Sequence, residues 1–129
     1  MFHAGVKKVQ FALNGTLSTF LDHDGATVRD GCDLAGLVLV GIGMPAVWTA
    51  AAITFQVSKD GVTFRDVFNV DGTEFKLTTP LADQFIPLAP LDTYGWRYIR
   101  LRSGLKSATV AQGAARVVDL ITRDLHGRG

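Results

Sequence analysis

The 129-residue sequence has little cysteine, histidine or net charge, and each shortage argues against a class of protein. Its one cysteine, Cys32, cannot form an intramolecular disulfide, and a lone cysteine is usually a small buried side chain rather than a nucleophile. The three histidines are far apart in sequence and none has the spacing of metal ligands. Thirteen basic against 12 acidic residues leave no cationic surplus for phosphates. We therefore expect no metal site and no nucleic-acid partner.

Long hydrophobic runs are also lacking. The longest, residues 34–47, is broken by Gly36, Gly41, Gly43 and Pro45, and it is shorter than the roughly 18 apolar residues of a membrane-spanning helix. The apolar run at residues 9–14 is too short and too interrupted for the core of a signal peptide. We expect one domain over residues 1–129 with extended termini and no membrane partner.

Short apolar or alternating runs closed by Gly, Pro or Asp-Gly fill the sequence and predict an all-β fold. In residues 52–58, for example, Ile53, Phe55 and Val57 share one parity, so one face of that strand should be buried. Runs of this kind number about eight. Eight strands over this length, with turns at Asp-Gly and one or two longer connections, predict a β-sandwich of jelly-roll type.

Individual runs make further predictions. The lysines of the first strand, residues 6–13, suit an exposed edge, and residues 34–42 suit the middle of a sheet. Three strands from residue 52 to residue 78 should form a meander. Pro87 restricts residues 85–88 to a sheet edge or places Pro87 at a strand end, and residues 90–95 should form a loop or single helical turn that crosses between sheets. The last strand should cover residues 116–121.

Motifs for catalysis are weak. Residues 38–46 match the outline of a dinucleotide fingerprint at Gly41, Gly43 and Ala46, but the fingerprint needs a helix next, whereas residues 47–58 alternate as a strand. No nucleophile elbow occurs, and the scattered carboxylates cannot be paired from sequence. Asp22 and Asp24 offer oxygens to a calcium ion, yet Asp before Gly is already explained by turn formation. We expect no enzyme and no cofactor.

Five side chains are candidates for contact with a partner or ligand. Trp48, Tyr94 and Trp96 could stack on a sugar or a protein, and core packing is the alternative for them. Arg100 and Arg102 share one face of a strand. A solvated face is the default for that pair, and a protein interface rich in Arg–carboxylate pairs is the alternative.

Residues 53–64, with Ser58 and Asp60-Gly61 before an aromatic strand, and residues 96–102, Trp-Arg-Tyr-Ile-Arg-Leu-Arg, resemble the discoidin-like (galactose-binding-like) jelly roll. The paired terminal cysteines of many sugar-binding members are missing here. The resemblance implies a jelly-roll fold and, as a second possibility for function, a carbohydrate-binding module that attaches to a glycan on a host surface.

A longer likeness, from about Gly41 to Thr122, includes residues 43–55, residues 95–98 and Arg102-Ser103-Gly104. These segments resemble small proteins encoded among head and tail genes of tailed phages, prophages and gene transfer agents. The resemblance implies a virion protein, assembled in the bacterial cytoplasm, that binds capsid or other virion proteins as a capsid decoration protein or a head-spike or fibre base.

The aromatic content and the two ends of the chain predict assembly. Eight phenylalanines are many for one thin sandwich, so some should face a neighbouring copy in a homo-oligomer. Residues 1–6 and 124–129 have no core pattern, and we expect them to become ordered only against another subunit.

Overall fold

The computed structural model describes residues 5–124, and its regular structure is almost entirely β. The strands are β1 (Gly5–Phe11), β2 (Ser18–Leu21), β3 (Thr27–Arg29), β4 (Cys32–Asp33), β5 (Val38–Gly43), β6 (Ile53–Ser58), β7 (Arg65–Asp66), β8 (Lys76–Leu77), β9 (Phe85–Pro87), β10 (Tyr98–Leu105), β11 (Ala108–Thr109) and β12 (Arg116–Arg123). The predicted all-β sandwich is confirmed. The predicted count of eight strands is wrong, since twelve form among the described residues; β4 and β11, which no pattern indicated, have only two residues each, too few for a periodic pattern.

Two antiparallel sheets make up the sandwich. The larger has the order β3-β2-β1-β12-β5-β9, and the smaller has the order β11-β10-β6-β7, with β4 paired to β10 and β8 paired to β6. The first and last strands lie side by side, with Gly5 opposite Thr122 and Phe11 opposite Arg116. Most pairings in each sheet therefore join strands that are not consecutive in the chain, unlike a simple meander.

β1 does not lie at an edge, so the prediction made from its lysines is wrong. The strand pairs with β2 on one side and β12 on the other. Lys8 Nζ lies 2.6 Å from Asp119 Oδ1 on β12, so the Lys8 ammonium forms an ion pair on the exposed face of the sheet. The edges of this sheet are β3 and β9, and the edge position predicted from Pro87 is confirmed.

Both sheets contribute to one core. Val9 and Phe11 of the larger sheet pack in the same buried cluster as Phe55 and Leu101 of the smaller sheet. Cys32 belongs to this cluster, and burial raises the pKa of its thiol to about 12. A thiol of such high pKa is a poor nucleophile. The prediction that Cys32 is a buried side chain is confirmed.

The β6–β7 hairpin is confirmed, and Gly61 in its turn has a φ of +80°, a conformation that favours glycine. The predicted meander forms only in part: residues 67–75 pair as a hairpin with an antiparallel bridge between Phe68 and Glu74, but β8 pairs with β6 rather than with β7. β7 lies opposite Gln56 and Val57, and β8 lies opposite Ile53 and Thr54, so they share one edge of β6 end to end. Between β7 and β8, residues 68–74 form an exposed hairpin loop closed by the bridge between Phe68 and Glu74, called here the protruding loop.

The crossing between sheets is as predicted: α1 (Pro90–Thr93) forms a single turn after β9 and leads to β10. It is the one helix among residues 5–124, and no helix of that region has the length and apolar character to span a membrane. Gly5 and Val6 already pair with β12, so order begins earlier than the terminal prediction stated. Residues 1–4 and 125–129, on which most of that prediction falls, lie outside the described residues.

Candidate functional site

The three candidate aromatic residues do not form one platform. The Trp48 ring meets Phe11 edge-on at 5.5 Å between centroids. Trp96 lies 5.4 Å from Phe55 and packs against the core, whereas Tyr94 is 58% exposed. No ring contact joins Trp48, Tyr94 and Trp96 within the described part of the chain. Tyr94 is therefore the most exposed of the three rings.

Arg100 and Arg102 share a face, as the alternation predicted, but their environments differ. Arg100 lies 4.4 Å above the Phe64 ring and donates a hydrogen bond to Gln56. Arg102 is only 5% exposed, so the default expectation of a solvated face is wrong for it. The carboxylates of Asp66 and Glu74 cover it; sequence could not find this pairing because the three residues are distant in the chain.

A buried ion-pair network surrounds Arg102. Its Nη2 donates to Asp66, and its Nη1 donates to Glu74 Oε2 at 3.0 Å and to Thr54 Oγ1 at 3.3 Å. Burial raises the pKa of Asp66, but hydrogen bonds from Arg102 and Gln56 more than offset this and hold the pKa below its usual value. Asp66 therefore stays ionised at neutral pH beside Arg102.

This network fixes the two ends of the protruding loop. Asp66 lies two residues before the loop begins, and Glu74 is the last residue of the loop. Glu74 also accepts a hydrogen bond from the Lys106 backbone N–H at 3.2 Å, and Lys106 Nζ lies 5.6 Å from the centre of the Phe68 ring. Both ends of the loop are thus tied to β10 and the turn after it.

The tip of the protruding loop is also ordered by hydrogen bonds. The Asn69 N–H donates to the Thr73 carbonyl at 2.7 Å, and Asp71 Oδ1 accepts from both the N–H and the hydroxyl of Thr73. Val70 is fully exposed at this tip and Phe68 is 47% exposed. The loop therefore presents two apolar side chains on a fixed backbone, a pre-organised arrangement that lowers the entropic cost of binding.

A second exposed apolar region, the β9 edge region, consists of Val47, Leu81 and Phe85. Each of these side chains is 58–60% exposed. Their segments are joined by hydrogen bonds, since the Met44 N–H donates to the Gln84 carbonyl and the Asp83 N–H donates to the Pro45 carbonyl. This region continues the larger sheet at the open edge of β9.

A cleft of about 410 Å³ opens between the β6–β7 turn and the segment before β10. Its lining residues are Val57, Ser58, Lys59, Asp60, Thr63, Arg65, Gly95 and Arg97. Three of these carry positive charge and one carries negative charge. No sequence pattern indicated this site, because Lys59, Arg65 and Arg97 lie in a turn, in β7 and just before β10, and only the folded chain brings them together.

Asp60 stabilises the turn on one wall of this cleft. Its Oδ1 accepts hydrogen bonds from the N–H groups of Val62 and Thr63 and from the Ser58 hydroxyl. The backbone hydrogen bonds from Thr63 and Val62, followed by the bond from Ser58, lower the pKa of Asp60 to about 2.

The lowered pKa of Asp60 predicts acid sensitivity. A carboxylate whose pKa is lower in the folded state stabilises the fold above its unfolded pKa of about 3.9, and this stabilisation is lost as the pH falls through the folded value. We expect Asp60→Asn to lose less melting temperature than wild type between about pH 5 and pH 2. Asp92→Asn is the control, because Asp92 is exposed on α1. Equal acid sensitivity in wild type and Asp60→Asn, measured by circular dichroism, would contradict the assignment.

Two weaker motifs have structural explanations. Asp22 Oδ1 accepts hydrogen bonds from the N–H groups of Asp24 and Ala26, so it closes the β2–β3 turn. Among residues 5–124 no cluster of three or more His, Cys, Asp or Glu side chains is placed to hold a metal ion. No helix follows the fingerprint at Gly41, since the chain continues to β6 without one.

Comparisons with known proteins gave no match to a family model, to a curated protein or to a solved structure.

Proposed function

We propose that this chain is a structural protein of a tailed-phage-type virion, a capsid decoration protein or a head-spike or fibre base that catalyses no reaction. It binds capsid subunits or other virion proteins and is assembled in the bacterial cytoplasm. The likeness of residues 41–122 to small proteins of phage, prophage and gene-transfer-agent clusters supports this proposal. The observation that carries it is the protruding loop, with its apolar tip and its buried anchor.

The loop has the properties of an insertion element for a protein partner. The Val70 side chain is fully exposed at the tip, and the Phe68 ring in the same loop is 47% exposed. Full burial of a valine side chain contributes about 1.5–3 kcal/mol, and the backbone beneath Val70 is already ordered. A shallow apolar pocket on a capsid subunit is the matching surface.

The β9 edge region supports self-association. Phe85 lies over Gly41, where a Cβ would come within 2.4 Å of the Phe85 ring. The Phe85 ring thus packs on the backbone of β5 at Gly41, yet Phe85 remains 58% exposed to solvent. A second copy of the chain at this edge would cover Phe85, Val47 and Leu81 and form the homo-oligomer that the aromatic content predicts. Sedimentation of Phe85→Asp beside wild type tests this contact, with a smaller species expected for the variant.

The experiment for the main proposal begins with particles purified from bacteria that encode the chain. Mass spectrometry should find the protein in many copies per particle, and its absence from particles would contradict the proposal. Particles made without the chain should then bind added wild-type protein on co-sedimentation. We expect Val70→Asp to lose this binding by at least tenfold with little change in melting temperature.

Val62→Asp is the matched control for the loop variant. Val62 is 81% exposed in the β6–β7 turn, outside the protruding loop. The same substitution there should leave binding to particles unchanged. Equal binding by Val70→Asp and Val62→Asp would remove the loop from the proposed interface, while detection of the protein on particles tests its virion role independently.

A carbohydrate-binding module is the second candidate, favoured by the exposure of Tyr94. An exposed aromatic face at a loop is the usual platform for a sugar ring. Trp48 and Trp96 pack against the core and offer less surface. Glycan-array binding that is lost in Tyr94→Ala would support this function, and binding that survives Tyr94→Ala, Trp48→Ala and Trp96→Ala would exclude it.

A further inference from the structure

The cleft beside the β6–β7 turn has a charge arrangement that neither candidate function uses. Arg65 lies opposite Val57 in the pairing of β6 and β7, so the two side chains share a face of the smaller sheet. Lys59 is two residues beyond Val57, just past the end of β6, and lines the same cleft. At the cleft, therefore, the apolar Val57 is followed by the cationic side chains of Lys59 and Arg65.

Two of the three cations in the cleft are not neutralised by the protein. Arg97 is paired with Asp33, with Nε–Oδ1 at 2.7 Å and Nη2–Oδ2 at 3.3 Å. Lys59 and Arg65, in contrast, have no carboxylate within 4.0 Å among residues 5–124. Both are exposed, so they can reach a ligand without leaving a partner.

The one carboxylate in the lining does not cancel these charges. Asp60 directs its Oδ1 into the turn, where three hydrogen bonds stabilise its charge. The positive groups remain in excess around a concave space of about 410 Å³. That volume is in the range of small-molecule sites and differs from the flat surface of a protein interface.

We propose that this cleft binds a small molecule through an oxyanion, a phosphate or carboxylate group, held by Lys59 and Arg65. The planar guanidinium of Arg65 can donate two parallel hydrogen bonds to such a group, and the Lys59 ammonium adds a compact charge. Val57 and the backbone at Gly95 offer contact to the uncharged part of the molecule. This site is separate from the protruding loop and does not depend on the virion proposal.

The test is an NMR and calorimetric titration of the full chain with three probes: glucose 6-phosphate, inorganic phosphate and glucose. We expect glucose 6-phosphate to bind at millimolar or lower concentration, to shift the amide signal of Gly95 and to weaken with added salt, because salt screens exposed charges. Glucose should not bind at this concentration. Equal affinity for inorganic phosphate would support the oxyanion site and identify the free anion as a sufficient ligand.

Variants separate a built site from general attraction to positive charge. Lys59→Gln with Arg65→Gln should weaken binding of glucose 6-phosphate at least tenfold while the melting temperature stays close to wild type. Arg29→Gln is the matched control, because Arg29 is an exposed arginine on β3 of the other sheet. No binding of either phosphate, or equal loss of binding in Arg29→Gln, would overturn the proposal.

Discussion

Replacement of Arg102 by methionine is expected to destabilise the protein by about 3–5 kcal/mol, because it leaves the largely buried carboxylates of Asp66 and Glu74 without the guanidinium that pairs with both; the exposed Lys106 ammonium, 3.7 Å from Asp66, compensates this loss only in part. The Arg102 side chain is 6% exposed, and those of Asp66 and Glu74 are 17% and 13% exposed. Urea unfolding measures the loss directly, and the melting temperature should fall on the order of 10 °C.

Two comparison variants separate the charge effect from the loss of packing. Arg100→Met changes the same residue type on the same face of β10, but Arg100 hydrogen-bonds an amide and stacks on a ring, so its loss should be much smaller. A triple variant, Arg102→Met with Asp66→Asn and Glu74→Gln, removes the uncompensated charge and should recover much of the stability. Equal losses in Arg100→Met and Arg102→Met would contradict this account.

The network also connects stability to function. If Asp66 and Glu74 hold the ends of the protruding loop, Arg102→Met should loosen the loop before it unfolds the sandwich. Amide exchange at residues 68–74 should then rise more than exchange in β1 and β12. Particle binding should weaken accordingly, because an ordered tip is what lowers the entropic cost of docking.

Phe55→Ala is the second large effect, with an expected loss of about 3–5 kcal/mol for removal of a fully buried aromatic side chain. Phe55 is 0% exposed, and its ring centroid lies 5.6 Å from Phe75 and 5.4 Å from Trp96. The cavity would lie next to both aromatic rings, on β6, the strand with which β7 and β8 pair. Chemical denaturation followed by circular dichroism gives the free energy of unfolding.

The matched control is Phe68→Ala, the same substitution on the protruding loop. Phe68 is 47% exposed, so its removal should cost less than about 1 kcal/mol. A loss at Phe55 no larger than the loss at Phe68 would show that the observed packing around Phe55 is wrong. The two variants should also differ in particle binding, because only Phe68→Ala removes part of the proposed interface.

Local pattern allowed several elements to be predicted from sequence. The alternation of Ile53, Phe55 and Val57 indicated β6 and its buried face, and Asp60-Gly61 indicated the turn that follows. Pro87 indicated the edge position of β9 because proline cannot donate a ladder hydrogen bond. Each of these signals depends on neighbours in the chain.

The sequence alone determined the all-β class, the main turns and the absence of a cationic surplus, because periodicity, turn chemistry and charge are properties of short segments or of composition. Tertiary structure alone decided that β1 lies beside β12, that β8 returns to β6 and that Arg102 is buried under Asp66 and Glu74. It also brought Lys59, Arg65 and Arg97 to one cleft. Strand partners and ion pairs across distant segments are chosen by packing of the whole core, and no local pattern records that choice.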